Sequence, residues 1–244
     1  MRIKIINPNT TWTMTRDIEL AGKRYARPDT TVYAVSPSTG PESIESMYDE
    51  YLAVPGVLSE IIKGDREEGA DAFVIACFGD PGLLAAKEVT EKPVIGIAQA
   101  AFATAEMIAP NFSVVYVLDR AEQVVREAIR LHGMEKFCKS CRSTGLGVLD
   151  FDRDQAAGLK ALEEQSRICV EKDGAEAIVL GCAGFVQFVD ALRERLGVPV
   201  IDGVSPAVKM CEALVDMGFK TSKKNLWADP EAKEILGLTD VLKF

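Results

Sequence analysis

The sequence predicts an α/β fold of two similar lobes, each a parallel sheet flanked by helices, related by a pseudo-two-fold axis. Short β-branched runs alternate with longer amphipathic stretches along the 244 residues, which is the pattern of βαβ units. The segment 69–79 is echoed at 174–184, a shift of 174 − 69 = 105 positions, with a cysteine at the same point of each copy. The expected active site is the cleft between the lobes.

The predicted strands are about five residues long and separate the predicted helices. Phe73–Ala76 and Ile178–Leu180 are apolar on both faces, as a sheet covered on both sides requires. In chain order, the predicted strands are Arg2–Ile6, Thr31–Val35, Ala72–Cys77, Val94–Ile97, Ser113–Leu118, Gly145–Leu149, Ala177–Cys182 and Val198–Ile201. The predicted helices are Pro55–Glu67, Ala121–His132, Gln155–Lys172, Val189–Leu196 and Ala207–Met217.

The eight predicted strands divide evenly between two lobes. We assign residues 1–97 to the first lobe and 98–206 to the second, with a C-terminal helix and tail from about 207–244 packing on the first lobe. The chain contains no low-complexity segment or long linker. We therefore expect the two lobes to be tightly associated.

Composition restricts the classes of partner. A formal net charge of −9 argues against nucleic acid and anionic membrane surfaces, which need clustered Lys and Arg. No apolar run approaches the roughly 20 residues of a membrane span, and no export signal is visible after Met1. Six cysteines in such a chain are expected to be reduced thiols in the cytoplasm. The expected partner is a small-molecule substrate.

The repeated cysteines, Cys77 and Cys182, each end an apolar strand and are followed by glycine one residue later. Ligands of open α/β sheets bind at the carboxyl ends of strands, where the next helix begins. A helix N-terminus there is expected to lower the thiol pKa. The backbone amides that follow could hold a carboxylate or an enolate oxygen, and they belong to Phe78, Gly79, Ala183 and Gly184.

A cysteine at a strand end is usually only a small buried hydrophobe. The same position filled in both copies favours a function instead. Two thiols that face each other suit a reaction in which a proton leaves one face of a carbon and returns on the other. Cys77 and Cys182 are therefore the candidate catalytic residues.

Other polar motifs are less specific. The first strand ends in Asn7-Pro8-Asn9-Thr10, which can cap a helix, bind a ligand, or do both. Cys169 and Cys211 lie in helical patterns and are expected in the core, and His132 lies at a helix end. Cys138 and Cys141 have the C-x-x-C spacing, but no second Cys/His pair completes a zinc site, so we interpret them as structural. No cofactor or metal motif is found, and none is expected.

Motifs through nearly the whole chain resemble the aspartate/glutamate racemase superfamily, and within it the hydantoin and allantoin racemases. They include 6–10, 40–45, 53–56, 76–83, 92–97, 180–184 and 199–204. The resemblance implies a cofactor-independent racemase, with Cys77 and Cys182 as the two acid/base residues. It also implies that Asn9, Thr10 and the backbone after each cysteine line the pocket. We further expect a homo-oligomer.

One pair of residues departs from that family pattern. After the strand that opens the second half, hydantoin racemases typically carry two threonines that face the ligand, whereas this chain has Tyr116 and Val117. We expect this pair to lie opposite Asn9 and Thr10 and to line the substrate pocket. The change alters both the volume and the hydrogen bonding of the pocket.

The expected reaction is the racemisation of a 5-substituted hydantoin or an allantoin-like cyclic ureide. One cysteine, as thiolate, removes the proton α to a carbonyl, and the opposite cysteine, as thiol, returns a proton to the other face. The alternatives are a racemase, isomerase or decarboxylase of another small carboxylate in the same superfamily. An alternative from another class is a two-lobed small-molecule binding protein without turnover.

Overall fold

In the computed structural model, residues 1–233 form eight strands and nine α-helices. The first half contains β1 (Arg2–Ile6), α1 (Trp12–Tyr25), β2 (Thr31–Val35), α2 (Met47–Arg66), β3 (Ala72–Ile75), α3 (Leu83–Val89) and β4 (Val94–Gly96). The helix that follows, α4 (Ile97–Ile108), leads into the second half.

The second half repeats this alternation. It contains β5 (Phe112–Tyr116), α5 (Glu122–Leu131), β6 (Cys138–Ser143), α6 (Asp150–Arg153), α7 (Gln155–Glu171), β7 (Ile178–Leu180), α8 (Val189–Leu196), β8 (Val200–Ile201) and α9 (Val204–Asp216). Three short 3₁₀ segments lie at Asp119–Ala121, Ala183–Phe188 and Asn225–Trp227.

The two halves form two parallel four-stranded sheets with the same strand order, which confirms the predicted fold class. The orders are β2-β1-β3-β4 and β6-β5-β7-β8. Ile6 pairs with Ile75 in the first sheet, and Val115 pairs with Leu180 in the second. These registers make Asn7 and Pro8 the counterparts of Tyr116 and Val117. The strand register thus relates Tyr116 and Val117 to Asn7 and Pro8, and the expectation that they lie opposite Asn9 and Thr10 stays a prediction.

Seven of the eight predicted strands are confirmed to within two residues at each end, and the strand predicted at Gly145–Leu149 is wrong. The sixth strand is Cys138–Ser143, a polar segment at the sheet edge that pairs only with β5. An edge strand has one open side, so it lacks the continuous apolar pattern of a central parallel strand. Gly145 instead adopts a left-handed φ of 75°, in a loop.

The helices agree with prediction over most of their length, and the largest difference is at the start of α2. This helix begins at Met47 instead of Pro55, and the Ser46 hydroxyl caps it by accepting from the Asp49 amide. The amphipathic pattern from Pro55 to Glu67 therefore marks only the later part of the helix. Here Pro55 lies inside the helix.

The C-terminal segment returns to the first sheet. Helix α9 packs on β3, β4, α1 and α4, and the Cys211 thiol lies 3.6 Å from the Phe73 carbonyl oxygen. Beyond α9, the Thr221 amide donates to the Glu91 carbonyl oxygen. The domain boundaries at residues 97 and 206 stay a prediction, and the part of the predicted tail after residue 233 lies outside the described residues.

No α-helix in residues 1–233 combines the length and the apolar character needed to cross a membrane.

Candidate functional site

The two sheets bring Cys77 and Cys182 to one cleft. Each cysteine lies two residues past the end of its central strand, β3 or β7, and both line the same cavity. Each side chain is partly exposed to this cavity, and all six cysteines of the chain are free thiols. The carboxyl ends of parallel strands form one edge of each sheet. Because the two cysteines occupy equivalent strand positions, both lie at such an edge and face the same cleft.

Most of the predicted site residues line this cleft. Those that do are Asn9, Cys77, Phe78, Gly79, Tyr116, Val117, Cys182 and Ala183. Thr10 does not line the cavity; its amide donates to the Pro41 carbonyl oxygen and so holds the 40–45 loop. Gly184 lies just behind the cleft wall, where its amide faces the Cys182 sulfur.

The rest of the wall consists of residues outside the predicted set of site residues. They are Asn7, Met14, Ile44, Ala76, Ala121, Val124, Val125, Val148 and Gly181. Most of these are apolar and resemble ordinary core residues in the sequence. Asn7 is the exception, because its place in the polar Asn7-Pro8-Asn9-Thr10 motif at a strand end indicates a candidate ligand contact in the sequence itself.

The polar end of the cleft is built by two buried asparagines. The Asn7 Nδ2 donates to Asn9 Oδ1 at 2.8 Å and to Thr15 Oγ1 at 3.0 Å. Among the described residues, the Asn9 Nδ2 donates only to the Met14 sulfur, at 3.3 Å, which is a weak acceptor. Within residues 1–233 no hydrogen bond is made to Asn7 Oδ1. The cleft therefore offers one free acceptor and one weakly engaged donor.

Burial dominates the electrostatics of both cysteines. It raises the pKa of the Cys182 thiol to about 12, with Asp152 and Glu45 adding to the effect and the Gly184 amide opposing it. Burial raises the pKa of Cys77 further, assisted by the charge of Glu50. The predicted lowering of the thiol pKa at these turns is therefore wrong, because desolvation of the thiolate outweighs the backbone amides.

Free backbone amides surround the two sulfurs. The amides of Gly79 and Gly184 face the sulfurs of Cys77 and Cys182, respectively. Among the described residues, neither these amides nor those of Phe78 and Ala183 donate to a backbone carbonyl. The amides of Phe78 and Ala183 are consequently available to an anionic oxygen in the cleft, whereas those of Gly79 and Gly184 are directed at the sulfurs.

The turn that carries Cys77 is fixed by the buried Asp80, which adopts a left-handed φ of 49°. Its amide donates to the Cys77 carbonyl oxygen at 3.0 Å. Its carboxylate accepts from the amides of Ala98 and Gln99 at the start of α4, and it lies 2.8 Å from the Nε2 of His132. The sequence placed His132 at a helix end, but no local signal connects it to Asp80, 52 residues away.

Glu50 approaches the same turn from α2. One of its carboxylate oxygens, Oε2, is buried and has no hydrogen-bond partner within residues 1–233. A methyl group added at Gly79 would lie 2.4 Å from this oxygen, so the Glu50 carboxylate packs directly against the glycine of the Cys77 turn. Burial, followed by repulsion from Asp80 and Glu127, raises the pKa of Glu50 to about 7.

Glu50→Gln is expected to stabilise the protein more at pH 8 than at pH 5, by about 2 kcal/mol. Because the folded-state pKa lies above the unfolded one, the native state holds the proton more tightly and loses stability as the pH rises between the two values. Glutamine is neutral at both pH values. Urea unfolding of both proteins at each pH measures the effect. The exposed Glu42 provides the control Glu42→Gln, and an equal change at both pH values would contradict the prediction.

The sequence of this chain is similar to those of known racemases. A sequence model of the Asp/Glu/Hydantoin racemase family matches residues 3–211. The hydantoin racemase of Pseudomonas sp. (strain NS671) is 55% identical over 237 residues, which cover 97% of this chain and 95% of that protein. The hydantoin racemase of Paenarthrobacter aurescens is 42% identical over 236 residues, covering 97% of this chain and 100% of that protein.

Solved structures agree with the sequence relatives. The allantoin racemase from Klebsiella pneumoniae superimposes with a TM-score of 0.96 at 43% identity, covering 99% of this chain and 98% of that chain. The glutamate racemase from Francisella tularensis subsp. tularensis SCHU S4 gives a TM-score of 0.66 at 16% identity, over 98% of this chain and 91% of that chain. The second similarity shows the shared two-lobed fold alone.

Proposed function

Because the chain belongs to the Asp/Glu/Hydantoin racemase family and is therefore an isomerase, we propose that it racemises hydantoins that carry an apolar 5-substituent. The observation that carries this proposal is the uncharged lining of the cleft. Among residues 1–233, those that line it include no Asp, Glu, Lys, Arg or His. A free amino acid brings an ammonium group, which would be buried there without a carboxylate to pair with.

A cyclic ureide matches the polar groups that the cleft does offer. Its ring combines N–H donors with carbonyl acceptors and is neutral when protonated. Asn7 Oδ1 can accept from a ring N–H, and Asn9 Nδ2 can donate to a ring carbonyl in place of its weak contact with the Met14 sulfur. The free amides beside the two cysteines can hold the second carbonyl oxygen as it becomes an enolate.

The rest of the wall supports an apolar 5-substituent over the ureido group of allantoin. Ile44, Val124, Val125 and Val148 present only hydrocarbon to the cavity. A ureido group has several donors and acceptors, and each one buried against these side chains without a partner costs free energy. Two solved relatives carry the name allantoin racemase, so allantoin is the second candidate substrate.

The proposed mechanism uses the two cysteines on opposite faces of the ring. One thiolate removes the proton from the α-carbon, and the other thiol delivers a proton to the opposite face. The reverse reaction exchanges the roles of Cys77 and Cys182. Burial favours the neutral thiols, and the same burial makes a thiolate formed in the cleft a strong base, which suits abstraction from carbon.

The raised thiol pKa predicts a rate that increases with pH. Since only the small thiolate fraction is active as base, kcat/KM is expected to rise about tenfold per pH unit between pH 6 and pH 8. Loss of optical rotation of one enantiomer, corrected for the uncatalysed rate at each pH, measures this dependence. A flat profile over this range would show that the thiolate is already formed and would contradict the raised pKa of Cys182.

The proposed function is tested by incubating the protein with single enantiomers in deuterium oxide. The panel contains 5-alkyl and 5-aryl hydantoins, allantoin, aspartate and glutamate. We expect loss of optical rotation together with deuterium at the α-carbon, with higher kcat/KM for the 5-alkyl and 5-aryl hydantoins than for allantoin. Turnover of aspartate or glutamate alone would overturn the proposal, as would binding of a hydantoin without exchange.

Replacement of Tyr116 and Val117 by threonine is expected to raise kcat/KM for bulky 5-substituted hydantoins by about tenfold. The double variant removes a large buried ring that lines the cleft, replaces its phenol hydroxyl by a smaller aliphatic one, and adds one hydroxyl at position 117. The lost packing of Tyr116 is expected to lower the free energy of unfolding by about 3 kcal/mol. Val117→Thr alone is the matched control, because it adds a hydroxyl at nearly constant volume. An unchanged kcat/KM in the double variant would show that Tyr116 does not limit the substituent.

A further inference from the structure

A β-bulge in the edge strand brings Cys138 and Cys141 together. Residues three apart in a regular strand point to opposite faces of the sheet. Here Cys138 pairs with Phe112 and Cys141 pairs with Val114, so β6 contains one residue more than β5 between the two pairs. The extra residue turns both side chains to one side, and their sulfurs lie 3.8 Å apart, at van der Waals contact.

The two thiols are accessible and lie among charged side chains of both signs, since Glu135 lines the same groove and Arg126 and Arg130 pair with Glu122 and Glu127. Both are partly exposed and line a surface groove of about 270 Å³, away from the catalytic cleft. The groove is also lined by Arg126, Arg130 and Lys139. The hydrogen bond from the Cys138 thiol lowers the pKa of Cys141, with the Arg126 guanidinium contributing, and it raises the pKa of Cys138. Cys141 is thus the more acidic thiol of the pair and the one from which a thiolate forms more readily.

We propose that Cys138 and Cys141 form a redox-active dithiol that a small hydroperoxide converts to a disulfide. The Cys141 thiolate attacks the terminal peroxide oxygen, an S–O bond forms as the O–O bond breaks, and hydroxide leaves from hydrogen peroxide or an alkoxide from an alkyl hydroperoxide. The Cys138 sulfur then attacks the resulting sulfenic acid, the S–S bond forms, and the Cys138 proton leaves with the hydroxyl group as water. The two thiols lose two electrons, and the peroxide accepts both.

The position of β6 permits the closure that the second step needs. A disulfide requires an S–S distance of about 2.05 Å, so the two sulfurs must approach each other further. Strand β6 lies at the edge of its sheet and is hydrogen-bonded on one side only, to β5. The bulged segment can therefore shift without breaking a second ladder.

The other four cysteines differ from this pair in exposure or in thiol pKa, so they serve as controls for the selectivity of oxidation. Cys169 and Cys211 have no exposed surface, so a peroxide in solution cannot reach them. Cys77 and Cys182 are open to the cleft, but burial raises the pKa of each and keeps them as thiols. Oxidation at neutral pH is therefore expected to begin at Cys141.

The test uses the full-length protein, a small molar excess of hydrogen peroxide at pH 7, alkylation and tryptic peptide mass spectrometry. Trypsin cleaves after Lys136, Lys139 and Arg142, so the two cysteines leave on separate tripeptides. We expect these tripeptides, 137–139 and 140–142, to appear joined by a disulfide that dithiothreitol reverses. Recovery of both as alkylated peptides, while Cys77 or Cys182 is oxidised, would overturn the proposal.

Two single variants separate the roles of the thiols. In Cys138→Ser, Cys141 is expected to form a sulfenic acid that dimedone traps, since the serine hydroxyl still donates to its sulfur. In Cys141→Ser, Cys138 is expected to react about tenfold more slowly. Equal labelling of the two variants would contradict the assignment of Cys141 as the attacking thiolate. Neither cysteine lines the catalytic cleft, so racemase activity can succeed or fail independently of this result.

Discussion

Cys77→Ser and Cys182→Ser are each expected to lower the rate of racemisation by roughly 10³-fold. A serine hydroxyl is a far weaker base than a thiolate, and inversion needs a proton transfer on both faces of the α-carbon. The substitutions keep nearly the same volume in a cleft whose wall is otherwise unchanged, so the fold is expected to be intact. Polarimetry gives the rate of inversion, and circular dichroism checks the fold.

The two single variants are distinguished by hydrogen exchange. Each is expected to exchange the α-proton of one enantiomer with deuterium oxide through the cysteine that remains, and the two are expected to prefer opposite enantiomers. Cys138→Ser, at a thiol outside the cleft, is the control and keeps the wild-type rate of racemisation. Full racemisation by either catalytic-site variant would rule out the two-cysteine mechanism and favour a reaction that needs one thiol.

Asp80→Ala is expected to lower the free energy of unfolding by about 3–5 kcal/mol. The substitution removes the acceptor for two buried amides at the start of α4 and the partner of His132. It also places alanine at a left-handed φ of 49°, where aspartate and asparagine are better tolerated. Because Asp80 fixes the Cys77 turn, kcat is expected to fall as well, with a smaller effect on KM.

Urea unfolding and steady-state kinetics of three variants test this role of Asp80. Asp80→Asn keeps the backbone preference and one acceptor oxygen, so it is expected to be less destabilising than Asp80→Ala. Asp190→Ala is the surface control, since the exposed Asp190 pairs only with exposed arginines and is expected to change stability by less than about 1 kcal/mol. A loss below 1 kcal/mol for Asp80→Ala would show that this carboxylate is dispensable to the turn.

The sequence predicted the fold and the two cysteines because both depend on local pattern. Central parallel strands are buried on both faces and therefore read as continuous apolar runs, and strand ends in parallel sheets share one edge. The edge strand β6 was not predicted because its residues, Cys138–Ser143, are mostly polar and lack the apolar run of a central strand. The apolar cleft wall could not be predicted either. Val124 and Val148 line the cleft only because the segments that carry them pack beside Cys77 and Cys182 in the folded protein.

The pKa values of the two thiols in the site could not be predicted from their positions at strand-to-helix turns. A strand-to-helix turn indicates a lowered thiol pKa, whereas burial raises the pKa of both Cys77 and Cys182 in the folded protein. The contacts of Glu50 with the Cys77 turn and of His132 with Asp80 join residues far apart in the chain. Such contacts follow from the packing of α2 and α5 against that turn.

The return of α9 to the first sheet determines when that sheet can be completed during synthesis. Helix α9 begins at Val204, which is 204 − 96 = 108 residues after the end of β4. At a translation rate of about 5–20 residues per second, the ribosome adds these residues in about 5–20 s. Until then the apolar face of β3 and β4 has no cover from α9. The first half can consequently complete its packing only after residues 204–216 have been synthesised.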